Sequence, residues 1–144
     1  MTEPVLVLDT NVVLDLLHFD DATARPLRQA LDAGRVRCVV SDATLGEWQR
    51  VLAYPEFALD AARQAELFER YRSLALPRSA AVDPTLAQCS DPDDQKFLEL
   101  AAATHAQGLV SKDRALLKLR HRCASRFRIM SPAEAVRWLG DAPA

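Results

Sequence analysis

The chain has 144 residues, a length that favours a single domain with a buried core. Hydrophobic residues make up 49% and charged residues 26% of it, a composition that excludes a disordered chain. No apolar run approaches the ~20 residues of a membrane-spanning helix, and the net charge of −2 gives no overall preference for nucleic acid.

The order of elements follows from apolar segments that alternate with amphipathic ones. The pattern predicts strand Val5–Leu8, helix Val12–Leu17, a helix from Asp20 or Asp21 to about Ala33, strand Val36–Val40, a helix from Ser41 or Asp42 to about Ala53, and a helix from Ala58 to about Leu74. It continues with minor strand Ala80–Val82, a helix from Ser90 to about Ala106, strand Leu109–Ser111, helix Arg114–Leu119, strand Phe127–Met130, and a closing helix from Ser131 to about Leu139. This alternation is typical of an α/β protein whose mostly parallel sheet is covered on both faces.

The N-terminal segment MTEPVLVLDTN has no basic start and reaches an acid too early for a signal peptide, so we expect a cytoplasmic protein with no membrane partner. The widely spaced Cys38, Cys89 and Cys123 form no CxxC pair, which argues against a zinc site and for reduced cysteines. Residues 1–140 are expected to form one domain, with 141–144 as a C-terminal tail.

Four acidic residues are expected to meet at one edge of the predicted sheet. Asp9 ends the first strand and Asp113 follows the strand Leu109–Ser111, so both lie at carboxyl ends of strands, where parallel α/β proteins bind ligands. Glu47 and Asp94 each lie at the margin of the apolar face of a predicted helix.

Four converging carboxylates would repel one another, and a hard divalent cation would relieve that repulsion. Mg²⁺ prefers oxygen ligands, and Mn²⁺ suits the same ones. The acids Asp9, Glu47, Asp94 and Asp113 are therefore the candidate metal ligands and catalytic residues, with Asn11 and Ser111 as polar groups that orient a ligand or a water. Phosphodiester hydrolysis is the reaction class that such a site favours.

Each acid also has a simpler interpretation. Asp9 and Asp91 could cap helices, Asp93 could interact with a helix dipole, and Asp113 could pair with Lys112 or a neighbouring Arg. Only the joint placement of the acids supports a metal site.

A basic segment surrounds Asp113 in an otherwise acidic chain. It could hold a nucleic-acid backbone, or it could be an ordinary solvated helix and loop. The candidate RNA-binding residues in this segment are Lys112, Arg114, Lys118, Arg120 and Arg122.

The sequence resembles the PIN-domain family, in particular the bacterial branch described as toxin components of toxin–antitoxin pairs. The matching segments are VLDTN at 7–11, Glu47 within 41–57, DPDDQKFLELA at 91–101 and SKDRALL at 111–117. The resemblance implies a three-layer α/β/α sandwich, Mg²⁺- or Mn²⁺-dependent cleavage of single-stranded RNA, and an antitoxin protein as partner; many relatives also self-associate as homodimers. It assigns the acidic quartet to Asp9, Glu47, Asp94 and Asp113, and the polar helpers to Asn11 and Ser111.

Two positions depart from the family pattern. The family usually has Thr where Ser111 stands, and this branch often has a small residue such as Gly where Lys112 stands. The register of Asp91, Asp93 and Asp94 is ambiguous, although Phe97 and Leu98 as the inward pair favour Asp94.

Other classes compete with the nuclease. A PIN-like module that binds RNA or protein without turnover is the main alternative. A receiver-like domain would need a phosphoacceptor after a central strand, where the chain offers only Asp42, and a haloacid-dehalogenase-type phosphatase would need a second Asp in place of Asn11.

Overall fold

The computed structural model describes residues 3–141, and its secondary structure is one parallel sheet between two layers of helices. The strands are β1 (Val5–Leu8), β2 (Arg37–Val40), β3 (Leu76–Pro77), β4 (Gly108–Val110) and β5 (Arg128–Met130). The helices are α1 (Thr10–Leu17), α2 (Arg25–Asp32), α3 (Asp42–Leu52), α4 (Ala61–Leu74), α5 (Gln95–Ala103), α6 (Arg114–Leu117), α7 (Arg120–Cys123) and α8 (Pro132–Asp141). Short 3-10 turns precede α4 and α5 at Pro55–Phe57 and Pro92–Asp94.

The side chains of the central strand divide the interior into two cores. Leu6 and Leu8 of β1 pack with the inward faces of α1 to α4 and α8, whereas Val7 packs with those of α5, α6 and α7. This alternation follows from the two-residue period of a strand and requires helices on both faces. The predicted three-layer α/β/α sandwich is confirmed.

Strand order places two sequence-distant segments beside each other. The order is β3-β2-β1-β4-β5, and every neighbouring pair is parallel. The chain leaves β1 toward one edge and later returns to its other side, so a topological switch point lies between β1 and β4. Leu8 is in register with Val110, and the Asp9 N–H donates to the Val110 carbonyl at 2.9 Å. Residues that follow β1 and β4 therefore emerge together.

The helix predicted from Asp20 or Asp21 begins later, at α2. Asp20 adopts a left-handed φ of 49° and pairs with Arg25 at 3.2 Å, while the Asp21 carboxylate accepts from the Thr23 N–H at 3.2 Å. The acids therefore stabilise a turn before the helix. The predicted end is close to the observed one, and Gly34, with φ of 73°, takes the left-handed conformation that often follows a helix.

The minor strand predicted at Ala80–Val82 is wrong, because the chain pairs earlier. Leu76 and Pro77 of β3 align with Val39 and Val40, whereas Val82 is 83% exposed. A two-residue edge strand ending in Pro gives no alternating pattern to detect.

Two other boundaries differ around β4. The helix predicted to reach about Ala106 ends at Ala103, because His105 adopts a left-handed φ of 51°. Gly108 belongs to β4, and a Cβ there would come within 2.5 Å of Met130 Cε, so a larger residue would require the Met130 side chain to move.

The C-terminal half contains one helix that the pattern did not predict. The basic stretch after α6 forms the short helix α7, which buries Cys123 against β5. The closing helix α8 extends beyond Leu139, and the predicted tail lies, apart from Asp141, outside the described residues. Across residues 3–141 no helix is both long and apolar enough to cross a membrane.

Candidate metal centre

The first acid of the site is held by a hydroxyl from the neighbouring strand end. Asp9 is 4% exposed, and its Oδ2 accepts a hydrogen bond from Ser111 Oγ at 2.6 Å. Although Asp9 occupies the N-cap position of α1, its side chain makes no capping hydrogen bond. Burial, together with the negative charges of Glu47 and Asp113, raises the pKa of Asp9, while the Ser111 hydrogen bond opposes that rise.

Asp113 is placed by the start of a short helix. Its Oδ1 accepts from the Ala115 N–H at 2.8 Å, and its own N–H donates to Ser111 Oγ at 2.9 Å. Ser111 therefore links Asp113 to Asp9 through one side-chain oxygen. The alternative in which Asp113 pairs with Lys112 or a neighbouring Arg does not occur within residues 3–141, and Lys112 Nζ instead lies 2.7 Å from Asp15 Oδ2.

Three carboxylates form the tightest part of the site. Asp91, Asp94 and Asp113 each offer an oxygen, and these oxygens all lie within 4.8 Å of one another. Asp91 also caps the 3-10 turn as predicted, since its side chain accepts from the Asp93 N–H at 3.0 Å. Asp91 therefore both caps the 3-10 turn and belongs to the acidic cluster.

Asp94 is the least satisfied of these acids. It is 7% exposed, and its buried Oδ2 has no hydrogen-bond partner among residues 3–141. Burial, followed by contact with Asp113 and the charges of Asp9 and Asp91, raises the pKa of Asp94 to about 8. A buried acid that has an unpaired oxygen and lies close to two other carboxylates fits a divalent cation that prefers oxygen ligands.

Glu47 lies close enough to Asp9 for its charge to raise the pKa of Asp9, and it has two partners of its own. Its Oε2 accepts a short hydrogen bond from Thr10 Oγ1, and its Oε1 lies 2.7 Å from Lys96 Nζ. Neither partner is among the site residues predicted from the sequence. The available signals were that Thr10 directly follows Asp9 and that Lys96 lies two residues after Asp94.

Asn11 and the predicted basic residues differ in their exposure and in whether they have partners within the chain. Asn11 is exposed, and its side chain has no hydrogen bond within the described residues. Arg120 forms a two-pronged ion pair with Glu134 of α8, with both N–O distances at 3.0 Å. The predicted basic residues that are exposed and form no recorded ion pair in residues 3–141 are Arg114, Lys118 and Arg122.

Loss of the Ser111 hydroxyl is expected to weaken metal binding. In Ser111→Ala, Asp9 loses the hydrogen bond that favours its charged form, and the Asp113 N–H loses its acceptor. We expect an increase of about 10-fold or more in the Mn²⁺ dissociation constant, measured by calorimetry, as is typical when a group supporting a metal ligand is removed. Ser111→Thr, which keeps the hydroxyl, is the matched control. Equal affinities for all three proteins would contradict the supporting role.

The raised pKa of Asp94 predicts how the stability of the metal-free protein depends on pH. This carboxyl ionises near 3.8 in an unfolded chain and at about 8 in the folded one. Between these two pKa values the folded state holds the proton more tightly than the unfolded state does. The stability that this proton adds is therefore fully present below about pH 4, and it is lost as pH rises toward 8, by at most about 1.4 kcal/mol per pH unit.

Urea unfolding in EDTA from pH 5 to 8 would measure this decline. Asp94→Asn removes the titrating group, so the wild type should lose stability relative to this variant as pH rises. Parallel pH profiles for the two proteins would contradict the raised pKa.

The fold and the acidic cluster together define a class of protein, the parallel α/β proteins that carry a candidate metal site at the switch point of the sheet. The sequence model of the PIN domain matches residues 5–115, and the chain belongs to the PIN-domain family. Proteins of this family are generally nuclease-like, use divalent metal ions and are typically metal-dependent nucleases. No curated protein matches the chain.

Proposed function

We propose that this protein is a metal-dependent endoribonuclease that hydrolyses phosphodiester bonds in single-stranded RNA. The observation that carries the proposal is the acidic cluster at the switch point of a PIN domain. In that cluster the carboxylate of Asp94 lies close to those of Asp91 and Asp113, and Asp94 also has a buried oxygen without a partner within residues 3–141. Mg²⁺ is the proposed cofactor, with Mn²⁺ as a substitute.

Three of the four predicted acids, Asp9, Asp94 and Asp113, are proposed to hold the metal. Asp91, which was not in the predicted set, is added to them. Glu47 is the fourth predicted acid of the site. When bound, a divalent ion lowers the pKa of water and stabilises charge on the phosphoryl group under attack. The chain itself keeps the acids in position, since Ser111 holds Asp9 and the Ala115 N–H holds Asp113.

RNA is the proposed substrate, and the exposed Arg114, Lys118 and Arg122 are its proposed contacts beyond the metal. These cations lie on the segment that follows Asp113, so they could hold phosphates on either side of the scissile bond. Lys112 and Arg120 have acidic partners within the chain and are weaker candidates.

A role as the toxin of a toxin–antitoxin pair is also proposed, on the strength of the sequence resemblance. It implies a cytoplasmic protein that an antitoxin restrains, and self-association as a homodimer. A small reading frame that adjoins the gene and encodes a protein that co-purifies with this chain would support that role.

The test of the catalytic proposal uses purified protein with end-labelled single-stranded RNA and Mn²⁺. We expect internal cleavage that EDTA abolishes and that added Mn²⁺ restores, and a single-stranded DNA of the same sequence serves as the comparison substrate. RNA retention without cleavage would overturn the enzyme proposal and support the alternative of a non-catalytic RNA-binding module.

A further inference from the structure

Glu47 is already neutralised by a cation of the chain itself. Lys96 Nζ lies 2.7 Å from Glu47 Oε1, and each of the two side chains is only 18% exposed. Thr10 Oγ1 donates to the other oxygen, so both Glu47 oxygens have partners. A carboxylate in this state does not need a metal ion to offset its burial.

The ammonium of Lys96 is held from several directions. Besides Glu47, it donates to the Asp93 carbonyl and lies 5.5 Å from the centre of the Phe97 ring. Lys96 stands in the first turn of α5, two residues after Asp94, so its position is tied to the helix whose N-cap residue is that buried acid. The amine is therefore fixed beside the acidic centre.

The other half of the centre has no such compensation. The carboxylates of Asp91, Asp94 and Asp113 approach one another, and no Lys or Arg forms an ion pair with any of them within the described part of the chain. Lys112, the basic residue next to Asp113, pairs with Asp15 at 2.7 Å. Positive charge is thus present at Glu47 and missing at the three aspartates.

We infer that the acidic centre is divided, so that one half takes a single divalent ion at the aspartates and the other half is permanently occupied by the Lys96 ammonium in place of a second ion. A second divalent ion bound by Glu47 would have to displace the ammonium or lie beside it against strong repulsion. During phosphodiester cleavage, a role that rests on the proposed function, Lys96 would supply the positive charge on the Glu47 side of the reacting phosphate.

The stoichiometry of Mn²⁺ binding tests the inference without reference to catalysis. Titration calorimetry and electron paramagnetic resonance of the purified full chain should give one Mn²⁺ per chain. In Lys96→Met, which keeps an unbranched side chain near Phe97 but removes the charge, we expect a second Mn²⁺ to bind. Arg35→Met, which removes an exposed cation that forms no ion pair within residues 3–141 and has no proposed role in binding, should still bind one.

Two results would overturn the inference. The first is two Mn²⁺ ions per wild-type chain, and the second is a Lys96→Met protein that still binds one ion with unchanged affinity. If Lys96→Met does not fold, as judged by circular dichroism, Glu47→Gln replaces it: a loss of less than about threefold in Mn²⁺ affinity supports the inference, and a larger loss overturns it.

The ion count and the nuclease proposal fail separately. A wild-type chain that binds one Mn²⁺ but leaves RNA intact would refute the nuclease and keep the divided centre. A chain that binds two ions and cleaves RNA would do the reverse.

Discussion

Replacing Asp94 with Asn is expected to abolish measurable Mn²⁺ binding and to lower the rate of RNA cleavage by a factor of about 10² to 10³ or more. The change keeps the shape of the side chain but removes a buried carboxylate that lies close to those of Asp91 and Asp113. A loss of this size is typical when one preorganised electrostatic contributor to a transition state is removed. Cleavage of labelled RNA and the Mn²⁺-induced shift in melting temperature are the two measurements.

The matched control is Asp93→Asn, one residue away. Asp93 is exposed and lies outside the group of three close carboxylates, so the variant should bind Mn²⁺ and cleave RNA within about twofold of the wild type. Equal losses in both variants would contradict a specific role for Asp94 and would point to a general effect of local charge.

The second large effect is expected on stability, in Trp48→Ala. Trp48 is 1% exposed, packs edge-to-face against Tyr71 with ring centres 5.8 Å apart, and donates through Nε1 to the Leu67 carbonyl at 3.3 Å. Truncation of a fully buried aromatic side chain costs about 3–5 kcal/mol of unfolding free energy. Because Trp48 fastens α3 to α4, the loss also loosens the helix that carries Glu47.

Urea unfolding in EDTA would measure this loss without a contribution from bound metal. Trp48→Phe keeps most of the ring and should lose less, and Tyr54→Ala, at a site 47% exposed, should stay within about 1 kcal/mol of the wild type. A Trp48→Ala protein as stable as Tyr54→Ala would show that the core can close over the missing ring.

The sequence was sufficient for the strong elements of the fold. Val5–Leu8 is strand β1 with the predicted bounds, because four consecutive apolar residues end at an acid. Ser41 caps α3 as one of the two predicted alternatives, since its side chain accepts from the Thr44 N–H. Elements that depend on local signals of this kind are readable from the chain alone.

Elements that form only through tertiary contacts could not be predicted from the sequence. β3 exists only because Leu76 and Pro77 meet the edge of β2, and no periodicity can develop in two residues. α7 is a single turn rich in basic residues, and only Cys123 within it is buried. Both elements owe their conformation to the neighbours on which they pack.

The site likewise combines features that follow from local sequence patterns with features that depend on tertiary contacts. The positions of Asp9 and Asp113 at strand ends follow from the alternation of strands and helices, and the structure brings them together through Ser111. The contacts of Glu47 with Thr10 and Lys96 join α3, α1 and α5, so they cannot be predicted from the spacing of residues along the chain. Pairings between helices depend on how the layers dock, which composition and periodicity do not encode.

The adjacency of β1 and β4 has a consequence during protein synthesis. Asp9 and its hydroxyl partner Ser111 are separated by 102 positions, and β4 can pair with β1 only after nearly all intervening elements exist. A polypeptide still growing on the ribosome therefore lacks the contact between Asp9 and Ser111 that assembles this edge of the site. Under the proposed function, the messenger being translated would meet no assembled active site until the strand beside β1 has been made and inserted.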